Sequence, residues 1–195
     1  MARTQAPDYE LRQEAILDLA ARLFARVGFD GTSMSELAEQ GGISKSLIYH
    51  YYKSKEDILY AVMASHVDQL IDDVTEVVAA GNKPRDALRA LFRRFMGHYV
   101  GAAARQNVLL NELDKLPHAR RMAIVRKQRN IIEAVQGLLT QIHPTLATDP
   151  VRARAQTMLV FGLINWTHTW FDPKGALNSD EVADIAFAMA SAQIR

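Results

Sequence analysis

The chain has 195 residues, no cysteine and a formal net charge of +1. That length holds a core well beyond a minimal binding module, while the missing thiols exclude disulfides and thiolate metal sites, and the near-neutral balance gives nucleic-acid binding no support from bulk electrostatics. There is no basic-then-apolar leader and no apolar run long enough for a bilayer, so the expectation is a cytoplasmic protein without a membrane partner.

Taken in chain order, Glu10 to Val27 repeats apolar residues at Leu11, Ala15, Ile16, Leu19, Leu23 and Phe24, the recurrence of an amphipathic helix. Gly28 is the expected stop. Ser33 with Glu36 three residues later forms a capping-box pattern that opens a second helix, Met34 to Gln40. Gly41-Gly42 permits a sharp reversal, and Ser44 offers an N-cap to a very short third helix. A helix so short depends on its neighbours for support. Ile43, Leu47 or Ile48, and Tyr52 share the side expected to pack; Lys45, Ser46, Tyr49 and His50 share the side left to read a major groove.

The run Gly31-Thr32-Ser33-Met34-Ser35-Glu36-Leu37-Ala38, then Gly42-Ile43-Ser44-Lys45 and Leu47-Ile48-Tyr49-His50-Tyr51-Tyr52-Lys53-Ser54-Lys55-Glu56-Asp57-Ile58-Leu59, closely resembles the DNA-binding domain of TetR-family regulators. Tyr52 stands where that family more often has Phe. The resemblance implies an all-α homodimer with an N-terminal three-helix helix-turn-helix domain (1–56) and a larger C-terminal effector-binding and dimerisation domain (57–195). It also implies a repressor that leaves a palindromic double-stranded operator when a small molecule binds. The expected DNA-binding set is Thr32, Ser44, Lys45, Ser46, Tyr49, His50, Tyr51 and Lys55. Lys45 and Ser46 are assigned to base edges, Tyr49 to a thymine methyl or phosphate, and Thr32, His50, Tyr51 and Lys55 to phosphates. Residues 1–60 carry seven Lys or Arg against nine Asp or Glu, yet Ser44 to Lys55 holds three lysines and no acid. A small basic docking surface on a non-basic domain makes a dimer clamping two half-sites the expected binding mode.

Beyond this region every segment reads helical. Ser54 caps a long helix to about Ala80, closed by Gly81-Asn82-Lys83-Pro84. Asp86 to Tyr99 and Val108 to Leu113 follow. Pro117 to Ile142 has apolar residues on two sides, the mark of a largely buried helix. Asp149-Pro150 opens a helix to about Phe171, and Asn178 with Glu181 caps a last one from Ser179 to about Gln193. Small residues on the last two helices (Gly162, Ala183, Ala186, Ala190) suit either a two-fold interface or ordinary intrachain packing.

Both tryptophans fall in Asn165-Trp166-Thr167-His168-Thr169-Trp170-Phe171, and Arg120, Arg121, Arg126, Lys127 and Arg129 occur together without an acid. Trp166 and Trp170 lie one helical turn apart, where they read equally as core or as pocket wall; the arginines read as a solvated face or as a phosphate-binding set. With Leu109-Leu110-Asn111-Glu112-Leu113-Asp114-Lys115-Leu116, these segments resemble the TetR regulators that sense coenzyme A thioesters and control catabolic pathways. That resemblance implies Asn165, Trp166, His168, Trp170, Arg126 and Arg129 as effector-binding residues and a fatty acyl- or aryl-coenzyme A ligand. The alternatives are a different hydrophobic effector, a helical enzyme acting on thioesters, or a helical protein-interaction module. Six scattered histidines give no metal-site spacing, and neither a cofactor nor a catalytic set is expected.

Overall fold

Side-chain caps start the helices that the sequence marks. In the computed structural model, which describes residues 7–192, Ser33 accepts from the Glu36 amide and opens α2 (Met34–Gly41), and Ser44 accepts from Leu47 to open α3 (Lys45–Tyr51). At Asn178 both halves of a capping box are made, which fixes the start of α9 (Ser179–Ala190). The first helix, α1 (Pro7–Gly31), is broken at Gly28 as expected, although one further turn follows the break. Leu11 and Ala15, expected on its inner side, are exposed; Ile16, Leu17, Ala20, Leu23 and Phe24 form the inner face instead.

The remaining helices are α4 (Lys55–Ala79), α5 (Pro84–Gly101), α6 (Ala103–Asn111), α7 (His118–Ile142) and α8 (Pro150–Trp166), with short 3-10 segments at Leu113–Lys115, Pro144–Thr148 and Thr167–Thr169. No strand occurs among the described residues. Gln193, the expected end of the last helix, lies outside them; α9 closes at Ala190, where the Ser191 amide donates to Phe187.

The chain divides into two compact units. Among the described residues, one holds 7–66 with 104–124 and the other 67–103 with 125–192. The helix-turn-helix therefore shares its unit with α6, the following 3-10 turn and the start of α7. Buried Arg105 of α6 reaches Glu14 and Asp18 of α1 and Ser65 of α4, His66 bonds Gln106 at 2.7 Å, and Lys115 pairs with Asp30. In the second unit α5 packs on α9, with the Phe92 and Phe187 rings edge-on at 6.1 Å and both Arg89 and Arg93 on the Asp184 carboxylate.

One helix is shorter than expected. Instead of continuing to Phe171, α8 ends at Trp166. The Thr167 hydroxyl donates to the Ile164 carbonyl at 2.6 Å, His168 Nδ1 bonds the Asn165 carbonyl at 2.6 Å, and the Thr169 hydroxyl takes that of Trp166 at 2.7 Å. These side chains capture carbonyls that the next helical turn would use, and the backbone tightens into a 3-10 turn.

Candidate nucleic-acid interface and effector cavity

The α2–α3 reversal is made by Gly42, whose left-handed backbone (φ 60°) caps α2 while its amide donates to Glu39 at 3.2 Å and that of Ile43 donates to Ala38 at 3.0 Å. The chain then enters α3 at Ser44. On α3, Ile48 is fully buried and the adjoining Tyr52 nearly so, which anchors the seven-residue helix. Burial pushes the Tyr52 phenol above its ordinary pKa.

The opposite face is open. Lys45, Ser46 and His50 are exposed and Tyr49 is 51% exposed. Ser46 Oγ lies 2.9 Å from Ser44 Oγ, so the capping serine also orients its neighbour. Half-buried Tyr51 stacks against Tyr9 of α1 with ring centroids 4.6 Å apart, and His50 sits edge-on to both rings. One face thus presents an ammonium, two hydroxyls and an imidazole, and an aromatic pair backs it. Donors and acceptors of that kind match groove edges and phosphates.

Two expected phosphate contacts, Thr32 and Lys55, have partners within the protein. Thr32 is 2% exposed and its hydroxyl donates to the Gly28 carbonyl at 2.9 Å. The Lys55 ammonium donates to the carbonyls of Phe29 at 2.6 Å and Thr32 at 2.7 Å, and lies 4.1 Å above the Phe29 ring. Both residues tie the α1–α2 corner together. Their partners are carbonyls distant from the motif or hidden by the Gly28 break, which no local pattern reveals.

In the second unit a cavity of about 120 Å³ is lined by Met96, Tyr99 and Val100 of α5 and by Thr167, His168 and Phe171 after α8, among others. Of the residues expected to bind an effector, His168 lines this cavity. Asn165 holds the Tyr99 wall, its side-chain oxygen accepting from the phenol at 2.7 Å. Because the Asn165 carbonyl can only accept, the bond from His168 places that imidazole's proton on Nδ1. Trp166 and Trp170 are 65% and 56% exposed, so the expected pair on a shared helix face, as core or as cavity wall, is not formed. Arg126 and Arg129 are exposed on α7 and do not line the cavity. The arginine-rich run is divided: Arg120 pairs with Asp57 and Lys127 with Asp68, while Arg126 and Arg129 point to solvent. Tyr99 and Met96, at the end of α5, carry no sequence signal of a cavity because they continue the apolar side of an ordinary amphipathic helix.

Residues 16–62 match the model of bacterial regulatory proteins of the tetR family, and residues 81–194 match the tetracyclin repressor-like C-terminal domain. The chain belongs to the TetR family. A TetR-family regulator from Bordetella parapertussis superimposes with a TM-score of 0.90 at 35% identity, covering 93% of this chain and 95% of that one. AibR, solved with isovaleryl coenzyme A and operator DNA, gives a TM-score of 0.79 at 28% identity over 91% of this chain and 97% of AibR. The repressor KstR2 of Mycolicibacterium smegmatis is 23% identical over 88% of this chain and 84% of its own length. Similarity to BetI of Rhizobium meliloti, 36% identical, spans 43% of this chain and 41% of BetI. The protein is thus an all-α DNA-binding transcriptional regulator. No described helix is long and apolar enough to cross a membrane.

Proposed function

We propose that this TetR-family regulator is a cytoplasmic homodimeric repressor that leaves a palindromic operator when a coenzyme A thioester binds its C-terminal domain. The observation that carries the reading is the whole-chain likeness to AibR, whose structure holds both isovaleryl coenzyme A and operator DNA. The open face of α3 supplies the DNA contacts: Lys45 and Ser46 at base edges, Tyr49 at a thymine methyl or phosphate, and His50 and Tyr51 at phosphates. An apolar face supports dimerisation. Leu159 (69% exposed) and Leu163 on α8, with Ile185 and Met189 on α9, stand exposed beside small Gly162 and Ala186, the composition of a helix pair awaiting another.

A cavity of about 120 Å³ lies below the roughly 300–1,000 Å³ usual for ligand pockets. An acyl group entering beside Tyr99 and Phe171 must part α5 from the turn after α8. The effector therefore favours a widened conformation, and release of DNA follows if that conformation holds the two heads at the wrong spacing. Arg126 and Arg129, solvent-exposed and without an acid on the same stretch of α7, are suited to the coenzyme phosphates.

Thermal unfolding against acyl- and aryl-coenzyme A thioesters tests this reading, with the free acids and coenzyme A as controls. A thioester at about a hundred times its dissociation constant should stabilise the protein by about 2.7 kcal/mol, beyond the sum of its two halves. The same thioester should release a labelled operator duplex. A panel of thioesters that neither stabilises the protein nor releases DNA would remove the coenzyme A assignment.

A further inference from the structure

Beside the recognition helix lies a groove lined by none of the side chains proposed to meet DNA. Its volume is about 460 Å³, and it is lined by Ala15, Ile16 and Leu19 of α1, by Gln40, Gly41 and Ile43 around the turn, and by Leu47 of α3. The exposed Arg12 and Arg22 of α1 complete the lining. Gly41 lies so near to α1 that a Cβ there would meet Leu19 Cδ2 at 2.7 Å, so the turn packs directly against α1. None of the lining residues is acidic.

Arg22 is the unusual member. The other lining cation, Arg12, is engaged within the protein, whereas the exposed Arg22 guanidinium takes part in no ion pair or hydrogen bond among the described residues. A cation at the edge of an apolar trough of ligand size complements one chemistry: an apolar body ending in an anion. We propose that this groove binds a small amphipathic carboxylate, its tail along Ala15, Ile16 and Leu19 and its carboxylate forked onto Arg22. The planar guanidinium offers two parallel N–H donors to a carboxylate, which an amide cannot match. Because Ile43 and Leu47 flank the groove, the tail packs directly against the segment that carries the DNA-reading side chains. The site is independent of the thioester cavity in the second unit.

Amide chemical shifts of the full-length protein titrated with octanoate test the proposal, with neutral octanamide as the control probe. Octanoate should shift the amides of Ala15 to Arg22 and Ile43 to Leu47 saturably, and octanamide should bind at least tenfold more weakly. Arg22→Gln should abolish the preference for the acid. Ala15→Trp, at an exposed position, should fill the trough and remove the response to both probes while leaving the thioester response of the C-terminal domain unchanged. No head-domain shifts, equal binding of acid and amide, or shifts that persist in both variants would overturn it. A response of the Ala15 to Arg22 amides to a short DNA duplex that is lost in Arg22→Gln would assign the groove to the phosphate backbone and equally overturn it.

Discussion

Arg105 of α6 donates to Asp18 of α1 through Nε at 3.1 Å and a terminal nitrogen at 2.8 Å, although the two residues are 87 positions apart. The guanidinium is 4% exposed, while Asp18 and its companion Glu14 keep about half of their surface in water. The charge asymmetry decides how this cluster responds to substitution. Removing either acid leaves the buried cation with the other acid and with Ser65, whereas removing Arg105 leaves two carboxylates that solvent can still reach.

Arg105→Met should therefore lower stability by about 2 kcal/mol, the scale of lost hydrogen bonds to charged groups, and Asp18→Asn by less. Urea unfolding of both variants and of the double variant measures the coupling, expected at about 1 kcal/mol. Additive losses would mean that Arg105 acts through packing alone.

Tyr49→Ala should abolish most operator binding without changing the unfolding temperature, because the ring is half in solvent and α3 is anchored by Ile48 and Tyr52. Lys45→Ala should weaken binding and reduce the slope of log affinity against log salt by about 1 if its ammonium meets a phosphate, and should relax base preference if it meets a base edge. Operator titrations at several salt concentrations separate these outcomes. Unchanged affinity in Tyr49→Ala would remove the ring from the interface.

Lys55→Met should destabilise the head by about 2–3 kcal/mol, since two carbonyls lose a charged donor. Thr32→Val should cost about 1 kcal/mol through its single bond to Gly28. Operator affinity measured well below each variant's unfolding temperature separates structure from contact. Affinity lost by Lys55→Met in a fully folded protein would mean that the remaining proton of the ammonium reaches DNA.

Hydrogen bonds from Arg89 and Arg93 hold the Asp184 carboxyl well below its ordinary pKa. A carboxyl depressed in the native state stabilises it above the unfolded pKa, near 3.8, and that contribution fades as pH falls through the lower native value. Asp184→Asn should therefore unfold at a lower temperature than the parent at neutral pH. The gap should narrow below about pH 4. Paired melting curves from about pH 7 to about pH 2 would show this, and a gap independent of pH would mean that the asparagine disturbs α5–α9 packing instead.

The local grammar of this protein was legible in its residues. Ser33, Ser44 and Asn178 cap the helices that their spacing marks, because a cap is a bond between neighbours three positions apart. The same locality fixed the exposed face of α3: in a seven-residue helix anchored by Ile48, Lys45, Ser46, Tyr49 and His50 have only one way to point. Tertiary structure decided the rest. Lys55 finds its carbonyls 26 and 23 residues away, and Arg105 reaches Glu14 across 91. Burial of a charged group depends on which distant helix covers it, and periodicity does not record that. The tryptophans show the same limit from the other side. Helical spacing put Trp166 and Trp170 together, but three side-chain bonds to carbonyls ended α8 between them, and the face on which they were to meet was never formed.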